Sequence, residues 1–155
     1  MVRRKHKRNA KLVILGNYQP DINPYHREVI DAASDEVTFL GAIYDARTVN
    51  ALRYFARVYV HGHQVGGTNP SLVEAIGAGN AVLARDNIFN RWVAKDGAIY
   101  FDDIRSATKA IDNLFSNEEL MRVLRTNSRN NYQINYRWEY ILNDYEKLLN
   151  TWLPG

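Results

Sequence analysis

The sequence predicts an α/β domain built on an open, parallel, doubly wound sheet. Three observations carry this prediction. Short apolar runs alternate with segments of helical periodicity from Lys11 to Phe101, and the connections between them are short. Polar, glycine-bearing loops follow the runs, as they do at the carboxyl edge of such sheets. The stretch from His61 to Asn80, HGHQVGGTNPSLVEAIGAGN, reads as a strand end, a glycine-rich loop and a short helix. With the apolar run Ala81-Val82-Leu83-Ala84 it completes one parallel crossover unit.

The first strand is Lys11-Leu12-Val13-Ile14-Leu15-Gly16, a compact apolar run expected to be buried. Residues 17–24 are loop by composition. Tyr25 to Ala33 reads as a helix with Val29, Ile30 and Ala33 on one face. Val37 to Gly41 is the second strand. After the connector Ala42-Ile43-Tyr44, Asp45 caps a helix running to Phe55, with Val49, Leu52 and Phe55 expected inward.

Val58 to His61 is the third strand. In the helix that follows, Asn69 is the cap and Pro70 the first residue, where a missing N–H costs nothing. Gly77 and Gly79 end it after roughly two turns. Ala81 to Ala84 is the fourth strand, Ile88 to Val93 a short helix or turn, and Ala98 to Phe101 the fifth strand. Three helices then follow without a strand. Asp103 to Phe115 carries Ile104, Ala107, Ile111 and Leu114 on one stripe. Asn117 to Asn130 opens on an Asn-Glu-Glu start. Gln133 to Trp152 repeats Trp138, Ile141, Tyr145, Leu148 and Trp152 at helical spacing, an aromatic stripe expected to pack in the core.

Composition narrows the function classes. The chain has 155 residues, 46% hydrophobic and 24% charged, which suits one globular domain. It has no cysteine, so disulfides, thiolate chemistry and cysteine metal sites are excluded. No apolar run approaches a membrane span, and the N-terminus lacks the apolar core of a secretory signal. The net charge of +3 resides in residues 1–11, which hold six Lys/Arg and no acid; the remainder has 14 basic against 17 acidic residues. Residues 1–10 are therefore expected to be a disordered basic tail. No basic cluster interleaved with aromatics argues for nucleic acid as a partner.

The chemistry concentrates in the central loop. A helix start offers free N–H groups and a positive dipole end, and Gly66 and Gly67 let a ligand approach the backbone without a Cβ in the way. Glu74 lies one turn in, away from the capping-box position at Leu72. It reads either as a surface acid or as an acceptor for ribose hydroxyls beside bound phosphate. His61 and His63 flank the loop, where phosphate or sugar contact and strand-end capping are both open. As a metal site the pair lacks a third ligand.

The run His61-Gly62-His63 and Val65 to Ala75 resembles the C-terminal, donor-binding domain of bacterial glycosyltransferases of the GT-B fold, group 1 and family 4 type. The similarity is greatest to the rhamnosyltransferase-like branch that builds cell-surface polysaccharides. Lys11 to Gly16, Phe39 to Asp45, Asp86 to Arg91 and the closing Tyr136-Arg137-Trp138 with Tyr145 carry the same resemblance. It implies a Rossmann-like domain over residues 11–155 that binds a nucleotide-diphosphate sugar. Gly66, Gly67, Thr68, Asn69, Ser71 and Leu72 would hold the diphosphate and Glu74 the ribose. Ile43 and Tyr44 would lie against the nucleobase, Tyr44 either stacking on it or packing at the strand end. Gly16, His61, His63, Asn87, Asn90 and Arg91 are further candidates for donor contacts, a surface salt bridge being the plainer reading of Arg91.

No catalytic residue is identified, and neither metal nor other cofactor is implied. The first glutamate of the family's paired-glutamate motif falls at Gly66, as in the rhamnose-type branch. The resemblance also implies a partner N-terminal acceptor domain, a glycan or lipid-linked acceptor, and a cytoplasmic place at the inner face of the membrane. Both that acceptor domain and the usual first strand and helix of the donor domain are absent, so the chain is expected to be a fragment with little activity alone. A module that binds nucleotide sugars without catalysis, working with a partner chain, is the alternative. A sugar-nucleotide epimerase would need a carboxylate pair in the cleft, which the sequence does not offer.

Overall fold

The computed structural model describes residues 10–152, so all of the basic tail but Ala10 lies outside the described residues. The chain forms two compact units, Met1–Val49 and Asn50–Gly155. Parallel strands and alternating helices are as expected, with the strands shared between two sheets.

In the first unit β1 (Leu12–Ile14) pairs in parallel with β2 (Val37–Phe39), Leu12 opposite Val37 and Ile14 opposite Phe39. Between them α1 (Pro24–Asp31) starts on Asn23, whose side chain accepts the Tyr25 N–H at 3.0 Å. Val29, Ile30 and Ala33 are half-buried, on one face as expected. The expected burial of β1 does not hold: Leu12, Val13 and Leu15 are exposed. A two-stranded sheet with one helix has too little material to cover both faces. Asp45 caps α2 (Ala46–Phe55), accepting from the Thr48 N–H at 2.8 Å.

The second unit takes up α2 from Asn50. Leu52 is half-buried, but Phe55 faces outward, against expectation. Its ring meets the exposed Tyr54 edge to face at 5.1 Å. The sheet is β3 (Val58–His61), β4 (Ala81–Arg85) and β5 (Ala98–Phe101), parallel and in that order. The connections are α3 (Pro70–Gly77) and α4 (Ile88–Ala94) with a short 3-10 turn, and then come α5 (Ile104–Ser116), α6 (Glu118–Asn135) and α7 (Trp138–Asn150).

β4 is the buried centre, and its side chains alternate between two cores. Val82 and Ala84 pack with Leu72 and Ile76 of α3 and Val93 and Ala94 of α4. Ala81 and Leu83 pack with Ala110 and Leu114 of α5 and Met121 and Leu124 of α6. Helices thus cover both faces, and the carboxyl end of the sheet stays open for loops.

Three expectations about the closing helices need correction. Ile104 is exposed at the first position of α5, whose capping box is built from Asp103 and Ser106. The polar run near Asn130 does not end α6. Asn131 is buried and donates its amide to the Val93 carbonyl at 2.8 Å, so the helix continues until Tyr136 packs against the first core. The aromatic stripe of α7 is not core: Trp138 is 70% and Trp152 82% exposed. No helix among the described residues is long and apolar enough to cross a membrane.

Candidate functional site

β3 delivers the chain to the open end of its sheet, and α3 takes it back. His63, Val65, Gly66, Gly67, Thr68, Asn69 and Pro70 line a cleft of about 130 Å³ there, closed on the other side by Asn87 and Asn90. Whole small-molecule sites run to roughly 300–1,000 Å³. The cleft therefore suits one compact group of a ligand and not an entire nucleotide sugar.

The start of α3 forms as the sequence predicts. Asn69 is the cap and Pro70 the first helical residue. The Asn69 side chain accepts the Ser71 N–H at 3.0 Å, and its main-chain oxygen accepts the Leu72 N–H at 3.0 Å. The first amides of the helix are thus engaged locally. The amides of Gly66, Gly67, Thr68 and Asn69 have no hydrogen-bond partner among the described residues. The free donors sit one step earlier than expected, in the loop, where the positive end of the α3 dipole adds to them. Gly66 has φ +128°, a conformation open to glycine and strained for other residues.

Asn87 and Asn90 shape this loop from the end of β4. Asn87 caps α4, its Oδ1 accepting the Asn90 N–H at 2.8 Å. Its side-chain amide donates to the His63 carbonyl at 2.9 Å and to that of Gln64 at 3.4 Å. The Asn90 amide donates to the carbonyls of His63 at 3.0 Å and Arg85 at 2.9 Å. Both asparagines face the cleft, but their amides hold its wall. Arg91 turns elsewhere: it makes a two-pronged bond to Asp86 at 2.6 and 2.7 Å and lies over the Tyr100 ring. That is the surface salt bridge.

The two histidines differ. His63 lines the cleft, while His61 is 1% exposed beneath it, their rings stacked with centroids 4.6 Å apart. Burial, with a smaller contribution from His63, pushes the His61 imidazole down to about 4, so it is neutral at pH 7. Glu74 lies on the exposed flank of α3, with Oε2 bound to Arg53 Nη2 at 2.6 Å. Arg53 had no signature in the sequence; it stands 21 positions before its partner, and only the packing of α2 beside α3 joins them.

Gly16, Ile43 and Tyr44 belong to the first unit. Gly16 donates its N–H to the Gly41 carbonyl at 3.0 Å, and Tyr44 is 92% exposed, so it does not pack at the strand end.

Residues 1–131 match the family described as glycosyl transferases group 1. The chain is a group 1 glycosyl transferase family member. No curated protein matches it significantly. Among solved structures, sucrose-phosphate synthase from Thermosynechococcus elongatus aligns at a TM-score of 0.75 with 21% identity, over 91% of this chain and 38% of that one. Anabaena Alr3699/HepE, solved with UDP, aligns at 0.80 with 14% identity, over 92% and 41%. The pneumococcal O-GlcNAc transferase GtfA, solved with UDP and GlcNAc, aligns at 0.72 with 17% identity, over 91% and 29%. These identities establish the shared GT-B C-terminal fold alone. The group 1 chain spans well under half the length of each structure.

Proposed function

We propose that this chain is the donor-binding part of a retaining hexosyltransferase. It would hold a nucleotide-diphosphate sugar for transfer, rhamnose in the first instance, to a growing bacterial cell-surface polysaccharide. The observation that carries the reading is the row of unpartnered amides from Gly66 to Asn69 lining a cleft in a member of a glycosyl transferase family. The diphosphate occupies the cleft and Glu74 accepts from the ribose. As the sugar leaves, negative charge builds on the departing nucleoside diphosphate, and the fixed N–H dipoles stabilise it without a metal or other cofactor.

The acceptor, a glycan or lipid-linked sugar, is held by another domain or chain at the cytoplasmic side of the membrane. The exposed aromatic stripe of α7 supports such a partner. The same observation favours a second reading, a module that binds nucleotide sugars without catalysis and depends on a partner chain.

Calorimetric titration of the chain with nucleoside diphosphates and nucleotide sugars tests the proposal. Saturable binding, weakened by Glu74→Ala, is expected; a folded chain that binds none of them overturns it.

A further inference from the structure

Glu74 is half-exposed, yet its carboxylate is not free to wander. Arg53 Nη2 holds Oε2 at 2.6 Å, and the Arg53 side chain is only 14% exposed against 52% for Glu74. A guanidinium so far out of water needs a fixed partner. Its backbone is fixed as well. Asn80, 2% exposed between α3 and β4, donates its side-chain amide to the Arg53 carbonyl at 2.7 Å and to that of Ala56 at 3.3 Å. The end of α2 is thereby tied to the segment that leaves α3.

We infer that Arg53 is a positioning residue that orients Glu74 toward a vicinal diol, and so sets the preference of this site for ribonucleotides over nucleotides without ribose hydroxyls. The inference rests on the donor-site reading above. Arg53 sits on Oε2, and beyond Arg53 the half-exposed carboxylate has no partner among the described residues, which leaves Oε1 as the oxygen open to a ligand. A carboxylate held in one orientation accepts from hydroxyls without first being ordered. Free of Arg53, the side chain samples several rotamers and rarely offers that oxygen.

The test is calorimetric titration of wild type, Arg53→Ala, Arg53→Lys and Glu74→Gln with two probes, UDP and 2′,3′-dideoxyuridine diphosphate. Wild type is expected to favour UDP about tenfold, the worth of a hydrogen bond to a charged acceptor. Arg53→Ala is expected to cut that preference to about twofold while its affinity for the dideoxy probe changes less than about twofold, and Arg53→Lys to retain part of it. The dideoxy probe reports an intact site, so loss of folding is not mistaken for loss of positioning. If Arg53→Ala fails to fold, the Arg53→Lys and Glu74→Gln preferences decide: a wild-type ratio in both overturns the inference. A full preference in a folded Arg53→Ala overturns it while leaving the donor site standing. A wild type that binds both probes equally, or neither, removes the ribose reading and Arg53's role with it.

Discussion

Asn90 of α4 reaches across the cleft and gives its side-chain amide to the main-chain oxygen of His63, 3.0 Å away, and to that of Arg85 at 2.9 Å. The wall of the candidate site is therefore bonded to the sheet edge through one buried amide. Asn90→Ala removes this donor from the Arg85 carbonyl and leaves the His63 carbonyl to Asn87, and it is expected to cost about 2 kcal/mol of stability. Asn90→Asp puts a carboxylate against those carbonyls and should cost more. Urea denaturation of both variants checks the order; an Asp variant as stable as wild type would show that the clamp carries nothing.

The two loop glycines should separate backbone strain from ligand approach. Gly66 sits at φ +128°, and Gly66→Ala is expected to lose about 1–2 kcal/mol through strain alone, since a Cβ there meets nothing within 4 Å. Gly67 has neither a positive φ nor a neighbour within 4 Å. Gly67→Ala should keep wild-type stability and still weaken UDP binding about tenfold or more, because its Cβ would stand where the proposed diphosphate approaches. Denaturation and titration on the same variant settle it; unchanged affinity would move the ligand away from this backbone.

His61 predicts how stability depends on pH. Its folded-state value near 4 lies below the ordinary 6.5, so the unfolded chain binds the extra proton between these values. The contribution from keeping it neutral is present in full above pH 6.5 and is lost progressively as pH falls toward 4. The whole change is on the order of 3 kcal/mol. The urea midpoint of wild type should fall over that window, and His61→Leu should flatten the slope. A parallel slope in both proteins would assign it to other groups.

Gly97 tests the packing of α6 on the 3-10 turn. A Cβ there would come within 2.4 Å of Ser128 Oγ and 3.1 Å of the Ser128 backbone. Gly97→Ala is expected to destabilise by about 1–3 kcal/mol, with Ser128→Ala recovering part of it. Thermal denaturation of the single and double variants reads this, and a wild-type midpoint for Gly97→Ala would contradict the close approach.

Local chemistry explains which parts were legible in the sequence. Asn69-Pro70 and Asp45 each specify a helix start within their own neighbours, and both form where expected. β4, apolar throughout, could only be central, and its alternation between two cores follows from pleating. What the sequence did not show depends on distant partners. The carbonyl of Val93 makes Asn131 a buried helical residue instead of a break. Phe55, Ile104 and the α7 aromatics have the right spacing for burial, but periodicity says which residues share a face and not whether anything covers it. In the site, Gly66, Gly67, Thr68, Asn69, His63, Asn87 and Asn90 come together as one cleft. The engagement of the Ser71 and Leu72 amides, the Asp86 clasp on Arg91 and the Arg53 partner of Glu74 are contacts that only the folded chain defines.

Backbone amide shifts on a labelled chain, titrated with UDP and then with inorganic diphosphate, show whether the loop amides receive a diphosphate. Both ligands are expected to move the resonances of Gly66, Gly67, Thr68 and Asn69 most, with UDP adding changes near Glu74. Saturable binding that leaves these four amides unmoved would put the diphosphate elsewhere and overturn the donor site proposed at this loop.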